Sequence, residues 1–109
     1  MITVDCGISG IDEIEYANSL GIETIITDHH EPIDKLPKAI AVMDAKIKTS
    51  KYPFNQLAGV GVVFKLIQAL SLKLNLDEKE YLKYLDLVCL GTISDIVPLI
   101  DENRIISLG

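Results

Sequence analysis

A chain of 109 residues, 49% apolar and 24% charged, has the means to bury a core and solvate its surface, which excludes a disordered tail or linker. The formal net charge of −6 argues against a main electrostatic footprint for nucleic acid; a polyanionic substrate would need metal ions or another domain to supply positive charge. Lys65, Gln68 and Lys73 interrupt the apolar stretches and the first ten residues carry no basic leader, so neither a membrane span nor a secretory signal is expected, and a cytoplasmic setting fits best.

Residues 1–4 form a short apolar run that predicts a buried strand. Ile8, Ile11, Ile14, Ala17 and Leu20 then recur at helical spacing, with Ser9 as the expected N-cap and Gly21 as the stop. Residues 23–27 predict a second strand, and a connection of this length implies a crossover and hence parallel pairing. Pro32 and Pro37 punctuate a loop, "AIAVMD" at 39–44 predicts a third buried strand, and 45–57 reads as a polar connection containing aromatics.

Residues 59–74 return to helical spacing, and Asp77 is the expected N-cap of a further helix through Tyr81, Leu82, Leu85 and Val88. Pro98 should end any helix by Val97, and Asp101 with Asn103 opens an element that stops at Gly109. The expected fold is α/β: a parallel sheet with crossover helices, then a mostly helical C-terminal half, as one domain over 1–109. Both ends read as cut, which predicts part of a longer protein. Cys6 and Cys89 lie outside any C-x-x-C pattern, so neither a disulfide framework nor a cysteine zinc site is expected; Cys89 reads as a small buried residue.

The chemistry concentrates at two strand ends. Ligands of an open parallel sheet collect beyond the carboxyl ends of its strands. Asp5 follows the first strand, and Asp28 with the chain's two histidines, His29 and His30, follows the second. Neighbouring strands run about 4.8 Å apart, so Asp5 and a histidine would meet at one edge. A carboxylate with imidazole and no thiolate suits Mn²⁺ or Mg²⁺. Adjacent residues of an extended chain point in opposite directions, so only one histidine shares the ligand field of Asp5; taking His29 for that role leaves His30 able to face a substrate phosphate and Asp28 able to orient a ring nitrogen. The plainer reading of the same residues is two partly exposed histidines at a turn.

Asp95 stands in the apolar segment "LGTISDIVPL", where an unpaired carboxylate would be costly to bury. Spacing leaves it open between a metal ligand and a structural acceptor, with Asp86 and Asp101 as competing acids. Gly59 and Gly61 open a helix and suit either a phosphate contact or close packing; the absence of a Gly-Lys-Ser/Thr ending makes packing the plainer choice. Tyr52 and Phe54 suit base stacking or, more plainly, anchoring of a loop. Arg104 suits either a carboxylate near the site or a helix cap.

Four ordered blocks, "VDCG", "TDHH", "YPFNQLAGVGVVFKL" and "LGTISDIVPLIDENR", resemble the single-strand-specific exonucleases of the DHH phosphoesterase family over nearly the whole chain. The resemblance implies a two-metal phosphodiesterase using Mn²⁺ or Mg²⁺: Asp5 bridging both ions, His29 binding metal, His30 on the scissile phosphate and Asp95 completing the second ion's ligands. It also implies single-stranded DNA as substrate, degraded from the 5′ end in recombination and repair, with a single-strand-binding protein or helicase as partners. The family's earlier D-x-D-G block and its later DHH-associated domain have no counterpart here, which implies an inactive isolated chain. Relatives acting on oligoribonucleotides, cyclic dinucleotides or pyrophosphate offer a second enzyme reading. A scaffold that has lost its ligands is a third.

Overall fold

The computed structural model describes residues 1–108 and divides into two compact units, Met1–Asn55 and the residues from Gln56 onward. The first unit holds β1 (Ile2–Val4), α1 (Ile11–Ser19), β2 (Ile25–Thr27) and β3 (Ala41–Met43). The strands form one parallel sheet in the order β1-β2-β3, with Val4 opposite Thr27 and Thr27 opposite Met43. Two further bonds carry the ladder past the strand ends: the Asp5 N–H donates to Thr27 O at 2.9 Å and the Asp28 N–H to Met43 O at 3.0 Å.

Each strand is shorter than its apolar run. The expectation of a buried first strand is corrected: Ile2 and Val4 are exposed, because β1 lies at a sheet edge and its i, i+2 face is left uncovered, while central Ile26 is fully buried. Ile8, Ile14 and Ala17 complete the buried apolar set around α1 and its entry loop.

The N-cap of helix α1 is Gly10, not Ser9, and there is no side-chain cap. The Gly10 N–H closes a turn onto Gly7 O at 3.0 Å, which moves the helix start one residue along. Its end follows the sequence: Gly21 adopts φ +74, its N–H reaches Asn18 O, and the Ile22 N–H reaches Ala17 O, a Schellman termination.

The second unit is helical: α2 (Gly59–Lys73), α3 (Lys79–Leu82), α4 (Leu85–Ser94) and α5 (Asp101–Leu108). Its buried residues include Leu57, Ala58, Val62, Phe64, Val88 and Ile106, and Tyr81 meets Phe64 edge-on with centroids 5.9 Å apart. The single helix expected after Asp77 is broken. A tight bond from the Tyr84 N–H to Tyr81 O ends α3, and α4 starts afresh at Leu85. Asp77 still serves the start of α3, accepting the Lys79 N–H at 2.9 Å.

Gly91 lets α4 approach α2: a Cβ there would stand 2.8 Å from Val60 Cγ1. Lys65 pairs with Glu102 between α2 and α5. Asn103, expected to open the last element, is instead fully buried within it, donating through Nδ2 to Gln56 O at 2.6 Å and Pro98 O at 3.0 Å. Cys89 is partly rather than fully buried. No helix of the described residues is long and apolar enough to cross a membrane.

Candidate metal centre

The site begins with a forced turn. Asp5 leaves β1 in the left-handed region at φ +61, and Gly7 follows at φ +111, where a Cβ would meet Thr3 Oγ1 at 2.9 Å and Ile26 Cγ2 at 3.3 Å. Only glycine fits there, since an L side chain would be both strained and obstructed. The spacing of acid and glycine in "VDCG" is therefore a backbone requirement: the chain must fold back over β2 directly after presenting the carboxylate. Thr3 Oγ1 closes this turn by donating to Cys6 O at 2.7 Å.

From β2, His29 brings Nε2 to 2.9 Å from Asp5 Oδ1, and its side chain is largely buried. One ligand atom each from Asp5, His29 and His30 lies within 4.8 Å of the others. Here the structure departs from strict alternation: the imidazoles lie on the same side, with ring centroids 4.4 Å apart and planes inclined by 49°. The extended chain ends at Thr27, so the opposite pointing of neighbouring residues does not extend to 29 and 30.

Asp28 shapes this bend. Its side chain is buried, and Oδ2 accepts the Ile8 N–H at 2.9 Å. Oδ1 accepts the N–H groups of His29 and His30 at 2.8 and 3.2 Å and lies 2.6 Å from His30 Nδ1. Burial by itself would raise this carboxyl, but donation from the Ile8 N–H, the His30 ring and the two histidine N–H groups outweighs it and holds Asp28 below the usual carboxylate range. An ionised carboxylate only accepts, so the His30 ring donates to it from Nδ1.

The sequence reading passed over Asp44. It follows β3 as Asp5 follows β1 and Asp28 follows β2, and the register sets the three acids side by side on neighbouring strands. The signal is three strand-forming triplets, ITV, IIT and AVM, each followed by Asp, whereas the run "AIAVMD" puts Asp44 inside its predicted strand. Asp44 is buried, Oδ1 accepts the Lys46 N–H at 2.9 Å, and burial pushes its carboxyl up.

The other candidates belong to the second unit. Asp95 is the exposed C-cap residue of α4. Gly59 and Gly61 are buried in the first turn of α2, and a Cβ on Gly61 would press on Leu57 Cδ2 at 3.2 Å. Arg104 is exposed on α5. In the first unit's loop, Phe54 is buried and Tyr52 is exposed.

The donor set suits a divalent cation. Ligand atoms at about 2.0–2.2 Å from one ion lie at most about 4.4 Å apart, so a spread of 4.8 Å needs only a small closure. All three donors are oxygen or nitrogen, and Cys6 is not among them.

The chain belongs to the DHH family, whose N-terminal domain matches residues 1–92. Among its relatives is the single-stranded-DNA-specific exonuclease RecJ of Bacillus subtilis, 50% identical over 98% of this chain and 13% of the relative. RecJ of Escherichia coli is 44% identical, over 98% of this chain and 20% of its own length. The crystal structure of Thermus thermophilus RecJ in complex with Mn²⁺ superposes with a TM-score of 0.81 at 38% identity, covering 96% of this chain and 15% of that one. The chain thus spans roughly an eighth to a fifth of the length of these curated relatives.

Proposed function

We propose that the chain is the metal-holding part of a partial DHH catalytic core, 1–109, in a divalent-cation-dependent exonuclease specific for single-stranded DNA. The observation that carries this reading is the convergence of Asp5, His29 and His30 at one sheet edge, with His30 fixed by a buried Asp28. Asp5 and His29 hold Mn²⁺ or Mg²⁺. A bound ion supplies Lewis-acid charge and an acidified water for phosphodiester hydrolysis. His30, its ring locked through Nδ1, offers Nε2 to the scissile phosphate, and Asp28 keeps that ring in one tautomer and one orientation.

Asp95 as a further ligand, and Gly59, Gly61 and Arg104 as substrate contacts, enter the proposal on their sequence blocks alone. Manganese in the related crystal structures supports Mn²⁺ as the working ion, and the relatives' named specificity supports a single-stranded DNA substrate. A cytoplasmic setting and work alongside a single-strand-binding protein or helicase follow from the same reading.

The test is hydrolysis of a long 5′-phosphorylated single strand and of a dinucleotide by the parent protein and its Asp5→Ala variant, with Mn²⁺ titrated in each. Turnover of the long strand that is lost in the variant is expected. Turnover of the dinucleotide alone would move the function to small substrates, and an active Asp5→Ala protein would remove the metal centre from the mechanism.

A further inference from the structure

The three aspartates at the sheet edge have different environments. Asp5 is exposed and faces His29, while Asp28 is buried with donors on both oxygens. Asp44 is only 5% exposed, and although Oδ1 is occupied by the Lys46 N–H, Oδ2 is shut off from solvent with no hydrogen-bond partner among the described residues. Leaving a carboxylate oxygen in that state costs on the order of several kcal/mol, which a native fold tolerates where a cation or an ordered water completes it.

The backbone sets Asp44 in the same row as the other two acids. Asp5 and Asp28 extend their strands by one ladder bond each, so Asp44 lies one strand beyond Asp28 in the same row. From the neighbouring strand the Asp28 carboxylate adds to the burial that pushes the Asp44 carboxyl up. Asp44 is nevertheless outside the set of ligand atoms that lie within 4.8 Å of one another. A direct bond to the ion of Asp5 and His29 is therefore not the simplest completion; a water between them is. Mg²⁺ and Mn²⁺ sites characteristically retain such waters, and acids behind them tune affinity.

We propose that Asp44 Oδ2 accepts a hydrogen bond from a water on the divalent cation held by Asp5 and His29, which makes Asp44 a positioning residue of the metal centre. The inference rests on the metal site of the proposed function and adds a residue to it.

The experiment is Mn²⁺ titration of the protein, followed by the electron paramagnetic resonance signal of free Mn²⁺, for the unmodified chain, Asp44→Asn and Asp5→Ala, with thermal melting of each in the absence of metal. Asp44→Asn keeps an oxygen for the Lys46 N–H and replaces the buried acceptor with an amide. Its Mn²⁺ affinity should fall about 10- to 100-fold, while its metal-free melting temperature stays level or rises. An affinity within twofold of the unmodified protein would overturn the proposal and leave Asp44 as a protonated structural acid. Loss of folding in both Asp44→Asn and Asp44→Ser would overturn it as well, because the side chain would then serve the fold. Asp5→Ala separates the two levels: if it binds Mn²⁺ as tightly as the unmodified chain, the metal site itself is wrong, whereas weak binding there with normal binding in Asp44→Asn rejects only the role of Asp44.

Discussion

Replacing Asp28 tests how the site is held, with no metal or substrate needed. Asp28→Ala strips the acceptor from the Ile8, His29 and His30 N–H groups and from the His30 ring. The bond to the Ile8 N–H is buried, and leaving that donor unsatisfied costs about 1–3 kcal/mol; the two part-buried N–H groups add roughly 0.5–1 kcal/mol each. The sum, about 2–5 kcal/mol, is a large fraction of the roughly 5–15 kcal/mol that stabilises an ordinary domain. At about 4 °C per kcal/mol for a chain of this size, the melting temperature should drop by roughly 8–20 °C. Asp28→Asn should cost less, about 2 kcal/mol, because its amide can satisfy one side of the network while its NH₂ opposes a backbone donor on the other. Urea unfolding followed by circular dichroism measures both. An Asp28→Ala protein within about 1 kcal/mol of the unmodified chain would refute the claim that this carboxylate organises the turn.

Three further outcomes follow from the second unit. Gly91→Ala should destabilise by about 1–3 kcal/mol despite alanine's better helix propensity, since the new Cβ meets Val60 Cγ1 at 2.8 Å; adding Val60→Ala should recover part of the loss in chemical denaturation. Ile96 sits at φ +56, 90% exposed, just after α4, so Ile96→Gly should raise the unfolding free energy by about 1 kcal/mol, read by the same method. Asn103→Ala should cost about 2–3 kcal/mol by freeing the carbonyls of Gln56 and Pro98, and Asn103→Asp should cost more, because it sets a charge against both; thermal melting of the pair ranks them.

Much of the frame was legible locally. Helical spacing from Ile8 to Leu20, the stop at Gly21 and the β-branched triplets before Asp5 and Asp28 encode parallel strands around a crossover, because burial on one face imposes its own period on the sequence. The break between α3 and α4 was not legible. Residues 77–88 keep a helical apolar pattern, and the interruption comes where the Tyr84 N–H turns to Tyr81 O, three residues back, which leaves no mark on residue spacing. Nor was the exposure of Ile2 and Val4, since an apolar run looks the same at a sheet edge as at its centre.

The sequence by itself determined which candidate residues stand at the strand ends: an acid with a glycine two places on, and a second acid with two imidazoles, each set at the point where a strand must stop. Tertiary structure decided how they face one another. The bonds from Asp28 to Ile8, His29 and His30 join residues up to 20 apart in the chain and turn both imidazoles to one side, while the β2–β3 register brings Asp44 into the same row. Periodicity reports which face of an element is buried; where the element ends, direction is set by long-range hydrogen bonds, which composition and spacing do not encode.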